Sequence, residues 1–190
     1  MELEVSAKTS YGAKPLVKKG YYPAQLLKID TFKDSEGNLK EGKYGNQLIL
    51  EFAVYKPGKK DEPTEIMKCI DKETNIESDV VIPKFVYHIY KDQKTGEKRT
   101  AISPKSAITR VFTALGWKFD ASKPLKVDDF LNKWVEVNLD DYEHVDTLTD
   151  EKTIASTIKD INEYKGPTPT VGSNDLVPES DELDSSDLPE

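Results

Sequence analysis

The stretch NQLILEFAVYK, residues 46–56, carries the clearest secondary-structure signal in the chain. Within it, every second residue is large and apolar: Leu48, Leu50, Phe52 and Val54. A period of two places these side chains on one face of an extended strand. Glycines precede the stretch, and a Pro-Gly-Lys-Lys-Asp turn follows it at 57–61. The stretch therefore predicts a β-strand with one buried face.

Similar strand signals lie on both sides of this stretch. Tyr21–Asp30 reads as an earlier strand, and Ile66–Ile70 reads as a third strand that completes a meander. Val80–Tyr90 reads as a fourth strand, in which Pro83 indicates an edge or irregular position. Residues 91–99, KDQKTGEKR, then predict a basic, hairpin-like loop.

One helix follows the fourth strand. Ser103 is the predicted N-cap and Pro104 suits the first helical position, while Gly116 is placed as the C-terminal cap. Residues 130–139 then predict a short helix followed by a strand, and 153–161 favours a closing strand because it is rich in β-branched residues. This order predicts a mainly β protein, a small Greek-key barrel of the OB type with one helix.

The C-terminus has a different composition. Residues 166–190 hold seven acids and no base, which leaves 28 acids against 27 bases in the rest of the chain. Such a block predicts a disordered tail, either a solvating terminus or a docking segment. The docking alternative assigns partner binding to six residues: Asp181, Glu182, Leu183, Asp184, Asp187 and Leu188.

Composition also narrows the class of protein. No apolar run approaches the roughly 18 residues of a membrane span. The first ten residues do not resemble a signal peptide, and Cys69 has no second cysteine to pair with. We therefore expect a cytoplasmic protein, in the host cytoplasm if the protein is viral.

Catalytic and metal chemistry has no candidate set of residues. His88, His144 and Cys69 lack ligand spacing, and the carboxylates at Asp140, Asp141 and Glu143 follow one another too closely on a strand to converge. No phosphate-binding glycine motif occurs. The sequence predicts no enzyme activity, no metal and no cofactor.

Basic residues interleave with aromatic ones in two segments. Outward-facing rings on a sheet stack unpaired bases, and neighbouring cations follow the phosphates. The predicted DNA-binding residues are Lys18, Lys19, Tyr22, Lys28, Tyr55, Tyr87, Tyr90, Lys91, Lys94, Lys98 and Arg99. Phe52, Phe85 and Phe112 are predicted as core residues. The alternative for the tyrosines is also burial, and the alternative for the basic loop is a solvated turn.

Several short motifs, in this order, resemble phage-encoded single-stranded-DNA-binding proteins. They are GYYPA at 20–24, GNQLILEF at 45–52, SPKS at 103–106, ALG at 114–116 and NKWVEV at 132–137. The resemblance implies an OB fold, which we place at 20–165, and sequence-tolerant binding of single strands. Residues 1–19 are polar and carry four lysines, and this composition predicts a flexible basic arm before the domain. The resemblance also implies an acidic tail at 166–190 that recruits replication or repair proteins. Tails of that family commonly end in a hydrophobic tip, whereas this tail ends in DLPE.

We expect a sequence-tolerant, non-enzymatic single-stranded-DNA-binding protein that acts in viral DNA replication, recombination or repair. We expect its tail to recruit partner proteins. An oligomeric state is compatible with the sequence. The alternative is a β-barrel protein-interaction module, an inhibitor or adaptor with an acidic docking tail. An enzyme or a hydrolase accessory protein is the third possibility, and the missing catalytic set counts against it.

Overall fold

A computed structural model describes residues 15–31, 33, 41–42, 44–58, 65–70, 75–145 and 152–166, apart from the side chain of His144. The strands are β1 (Gly20–Thr31), β2 (Glu41–Gly42), β3 (Gly45–Val54), β4 (Lys68–Ile70), β5 (Glu77–Asp79), β6 (Val81–Lys91), β7 (Lys98–Thr100), β8 (Trp134–Val145) and β9 (Lys152–Glu163). One α-helix, α1 (Ala107–Ala114), and a short 3-10 helix at Val127–Phe130 complete the described fold.

The main sheet is antiparallel, in the order β7-β6-β3-β1-β8-β9, with the short β2 added to β3. Strand β1 lies between β3 and β8, and the connection that carries α1 runs from β7 across to β8. This is the Greek-key order of an OB-type barrel. The mainly β, OB-like prediction is confirmed, but the barrel does not close, because the described strands β6 and β9 are not hydrogen-bonded to each other.

The sheet curls around a core formed by the inner faces of its strands. The four apolar residues of β3 that the period of two singled out are all buried. Helix α1 covers the open seam between β6 and β9 and buries Ile108, Val111 and Phe112 against them. Lys84 Nζ on β6 also donates a hydrogen bond to the Ile158 carbonyl on β9 at 2.6 Å. The seam is thus bridged by side chains instead of a backbone ladder.

The helix begins three residues later than predicted. Ser106, not Ser103, is the N-cap, and its side chain accepts a hydrogen bond from Thr109 N. The Ser103 carbonyl instead accepts from Ser106 N in the preceding turn. Gly116 ends the helix as predicted, with φ of +99° and Trp117 N bonded to Phe112 O, the pattern that favours glycine.

More strands precede the helix than the four that were predicted. Strands β2, β4, β5 and β7 are two or three residues long, too short for a periodicity signal. The predicted third strand is also smaller, because Lys68–Ile70 pairs with β5 and only Ile66 bridges the end of β3. Strand β6 continues through Pro83 without a break. Only residues 89–91 of β6 pair with β7, so Pro83 lies outside that pairing. The predicted β8 and β9 are confirmed, and β9 is the closing strand.

The predicted flexible arm is wrong for its last five residues. Ser156 N on β9 donates to Pro15 O at 2.9 Å, and Val17 N donates to Ser156 Oγ at 2.8 Å. Val17 itself belongs to the core. Residues 15–19 are therefore fixed along the edge of β9, whereas the earlier part of the predicted arm lies outside the described residues.

A substitution at Gly45 tests the close approach of β3 to β6. Its φ is +125°, and a Cβ there would collide with the Ile89 carbonyl oxygen. We expect Gly45→Ala to lower the free energy of unfolding by roughly 3–5 kcal/mol, because steric overlap adds to backbone strain. Gly96→Ala is the control: its φ is +74° with open space around it, so only about 1–2 kcal/mol of strain applies. Urea denaturation of both variants measures the difference, and equal losses would contradict the close approach.

Candidate functional site

A β-bulge in β6 sets the geometry of the candidate site. Asn46 pairs with Ile89 and Gln47 pairs with Tyr87, so His88 is an extra residue in β6. Because strand residues alternate between faces, this insertion brings Tyr87 and Tyr90 to the same side although they are three residues apart. Their ring centroids lie 5.6 Å apart, with the ring planes tilted by 34°. Their shared face is the outer one, opposite the core.

A third ring joins this pair from the turn before β3. Tyr44 is 48% exposed, and its ring meets that of Tyr87 edge-on, with centroids 6.5 Å apart. We call Tyr44, Tyr87 and Tyr90 the tyrosine cluster. Tyr44 was not among the predicted site residues, because 42–45 reads only as a turn in the sequence. The available signal was an aromatic residue held in a glycine turn directly before the strongest strand.

Arg99 places a cation beside the cluster. It pairs with Tyr90 across the β6–β7 hairpin, and side chains of directly opposed residues share a face. Together these residues form an open pocket of about 460 Å³. Its lining consists of Tyr44, Tyr87, Tyr90, Lys91, Asp92, Gln93 and Arg99. The lining is therefore divided between aromatic rings and polar side chains, and the pocket is an open depression in the surface.

Asp92, the acidic residue of this pocket, stabilises the turn of the β6–β7 hairpin. Asp92 Oδ1 accepts hydrogen bonds from Lys94 N at 2.8 Å and from Thr95 N at 2.9 Å. These backbone donors hold the pKa of the Asp92 carboxyl below its usual value, so it is ionised at neutral pH. The hairpin is therefore braced at its tip, and the predicted loop at 91–99 is confirmed as a hairpin.

Two of the predicted hairpin cations are held by an acid. Lys91 Nζ lies 2.6 Å from Glu41 Oε1, and Lys98 Nζ lies 2.6 Å from Glu41 Oε2. We call this arrangement the Glu41 clamp. The two ammonium groups lower the pKa of the Glu41 carboxyl to about 2. Both lysines are therefore occupied by ion pairs with Glu41. The two remaining predicted cations of the hairpin are Arg99 and the exposed Lys94.

Tyr55 is not a stacking platform, contrary to the prediction. It is 2% exposed, its ring packs on Trp134 with centroids 4.6 Å apart, and its hydroxyl donates to Gln25 Oε1. Tyr22 is half-buried and packs against the core, with its hydroxyl bonded to the Lys18 carbonyl. Neither ring belongs to the tyrosine cluster.

Phe85 is the opposite case. It was predicted as a core residue, yet it is 47% exposed on the outer face, paired across strands with Ile49. The alternation that buries Val86 places Phe85 outside, two residues from Tyr87. Phe52 and Phe112 are buried, as predicted. Phe85 thus extends the aromatic surface along β6.

The other predicted cations lie away from the hairpin. Lys19 precedes β1, and the opposite end of β1 lies next to the start of β3, roughly 40 Å away along the strand. Lys19 is paired with Asp140 at 2.9 Å and with Asp141 at 3.1 Å. Lys28 is paired with Asp30 at 3.4 Å. The structure therefore separates Lys18 and Lys19 from the tyrosine cluster, whereas Lys28 lies on the neighbouring strand β1, opposite Glu51 of β3.

Metal sites, membrane spans and known relatives add no further candidate. Within the described ranges, no group of three or more His, Cys, Asp or Glu could hold a metal ion. No helix in those ranges is long and apolar enough to cross a membrane. Comparison with protein-family models, with curated proteins and with solved structures found no match. The six predicted tail residues lie outside the described part of the chain.

The Glu41 clamp predicts an unusual titration. The folded pKa of about 2 lies below the ordinary 4.5, so the clamp stabilises the hairpin fully above pH 4.5. That contribution is lost as the pH falls from 4.5 through 2. We expect the side-chain carboxyl of Glu41, followed by NMR, to titrate near pH 2. A Glu41 midpoint near 4.5 would contradict the clamp.

Proposed function

We propose that this protein binds single-stranded nucleic acid, DNA in the first instance, on the outer face of β3 and β6. The observation that carries the proposal is the tyrosine cluster with Arg99 beside it. Tyr44 is exposed and Tyr87 and Tyr90 are partly exposed, so we expect unpaired bases to stack on this group of rings, whatever their sequence. OB-type barrels bind oligonucleotides on the same two strands, the second and third long strands of the barrel.

Stacking supplies most of the affinity in this proposal. Each base stacked on a ring is worth roughly 1–3 kcal/mol. Arg99 and Lys94 then contact the phosphates on either side of the stacked bases. The charges of the body nearly cancel, so affinity cannot rest on net charge. Paired bases cannot reach the rings, and the protein therefore prefers single strands to duplex.

Helix α1 supports the same preference. A major-groove reader needs an accessible helix with basic residues along one face. Here α1 is eight residues long, and its apolar side is buried in the seam between β6 and β9. Duplex recognition through this helix would require it to leave the core.

The biological role that we propose is coating unpaired DNA during viral replication, recombination or repair, with partner proteins recruited by the acidic tail.

A protein-interaction module is the second candidate, and the β4–β5 hairpin favours it. Ile70 and Ile76 are each 63% exposed there, and Ile70 pairs with Glu77, the neighbour of Ile76, so the two side chains offer a small apolar contact for a partner. This candidate predicts no affinity for oligonucleotides. Binding of labelled oligo-dT, measured by fluorescence anisotropy, therefore separates the two candidates directly.

Removing the cluster tests the proposed function. We expect Tyr87→Ala combined with Tyr90→Ala to weaken oligo-dT binding at least ~5-fold for each stacked base that the variant can no longer hold. Anisotropy of labelled oligo-dT and of the matching duplex, each at two salt concentrations, measures affinity, strand preference and salt dependence. The control is Tyr21→Ala, an exposed tyrosine on β1 away from the cluster. Equal binding by the double variant and the control, or equal wild-type affinity for duplex and single strand, would sink the proposal.

Truncation tests the role of the tail. The composition of residues 166–190 predicts a random coil, and by random-coil scaling a chain of this length reaches roughly 25–30 Å, so we expect its seven acids to compete with phosphate for the binding face. We expect removal of residues 167–190 to tighten oligo-dT binding at low salt, with a gain that shrinks as salt rises. Thermal unfolding should be unchanged, and any partner that docks on the tail should no longer bind. Weaker DNA binding after truncation would show that the tail has another role.

A further inference from the structure

We propose that Glu41 is a built-in competitor of phosphate: its carboxylate masks Lys91 and Lys98 in the free protein, and a bound strand must displace it to reach them. This inference rests on the proposed function and adds a specificity determinant to the same site. Glu41 would then lower the affinity of every polyanion that reaches the two lysines, so that only strands that also stack bases on the tyrosines bind appreciably.

The geometry of the clamp matches that of a phosphate contact. Each carboxylate oxygen of Glu41 lies 2.6 Å from one ammonium group, so one anion spans two cations. The two non-bridging oxygens of a phosphodiester offer a similar pair of acceptors. Lys91 and Lys98 face each other across the β6–β7 hairpin, which presents them as one doubly charged site.

The backbone holds Glu41 in this position. Glu41 belongs to β2, pairs with Asn46 at the start of β3, and is fixed there by the sheet. Its Oε1 is shielded from solvent and lies 2.6 Å from the Lys91 ammonium, while the Glu41 side chain as a whole is 28% exposed. The Lys91 ammonium therefore provides the compensating charge for that oxygen. The carboxylate bridges two lysines from a position that the sheet sets, and it remains open to exchange.

The clamp also borders the tyrosine cluster. Lys91 directly follows Tyr90 and contributes to the wall of the pocket, although its ammonium group is bound to Glu41. A base stacked on Tyr90 would bring its own phosphate within reach of this long side chain. The exchange needs no backbone movement, because both lysines remain partly exposed and surface ion pairs are weak.

Displacement of Glu41 sets a threshold for binding at this site. Moving the carboxylate off both lysines leaves it without its counter-charges, which weakens the binding of any polyanion. A single strand offsets this loss by stacking bases on the tyrosines. A duplex offers phosphates but no unpaired base, so it has nothing to offset the loss. Removing the carboxylate should therefore raise the affinity of every strand that reaches the two lysines.

A matched pair of charge variants tests the clamp in the full-length protein. Glu41→Gln removes the competitor, and Glu97→Gln removes the same charge from the exposed turn of the same hairpin, where the carboxylate holds neither lysine. We expect E41Q to bind oligo-dT more tightly than E97Q. Its plot of log affinity against log salt should be steeper by up to about 1.4, or about 0.7 for each lysine released.

A third variant checks that the gain comes from the lysines. Adding Lys91→Gln and Lys98→Gln to E41Q should remove the extra slope and leave binding through the tyrosine cluster. If E41Q and E97Q bind with the same affinity and slope, or if E41Q binds more weakly, the clamp inference is wrong while the proposed function stands. If neither wild type nor any variant binds oligo-dT, the proposed function has failed, and the inference fails with it.

Discussion

The pairing of β3 with β6 is the interaction on which the rest of the structure depends. The inner face of β3 supplies the centre of the core, and its outer face, together with that of β6, forms the aromatic surface. The close approach at Gly45 and the extra residue at His88 are both features of this one ladder. Without the bulge, Tyr87 and Tyr90 would point to opposite faces, and no cluster would form. Fold and candidate site therefore share one constraint.

The fold follows from local sequence signals more completely than the site does. The period of two in β3, the glycine that ends α1 and the turn at 91–99 each depend on neighbours in sequence, and each is confirmed. The exposure of an aromatic ring depends instead on residues that are distant in sequence. The alternation along β3 places Tyr55 on the outer face of the sheet. Its ring is nevertheless covered by Trp134, a residue of β8 that is distant in sequence. Phe85 is apolar, yet no element of the described structure packs over its part of β6 closely enough to bury it.

The same limit applies to charge. Counting lysines in the loop indicates a strongly basic surface, but Lys91 and Lys98 are bound to Glu41, which precedes them by about fifty residues of chain. Lys19 and Lys28 are likewise paired with acids. In a body with almost balanced charge, many cations are matched by acids, so we expect the proposed affinity for single strands to come mainly from stacking. Local pairing, and not the net charge of −8, decides what the surface can bind.

The most direct test of the central claim is to map where a single strand contacts the protein. Titrating isotope-labelled protein with a short oligo-dT, and following the amide and side-chain NMR signals, locates the binding surface residue by residue. We expect the largest shifts at Tyr44, Tyr87, Tyr90 and Arg99, with smaller ones at Lys91 and Lys98 as the carboxylate is exchanged. Shifts confined to the β4–β5 hairpin or to the region around Lys19, or no shifts at all, would contradict the account.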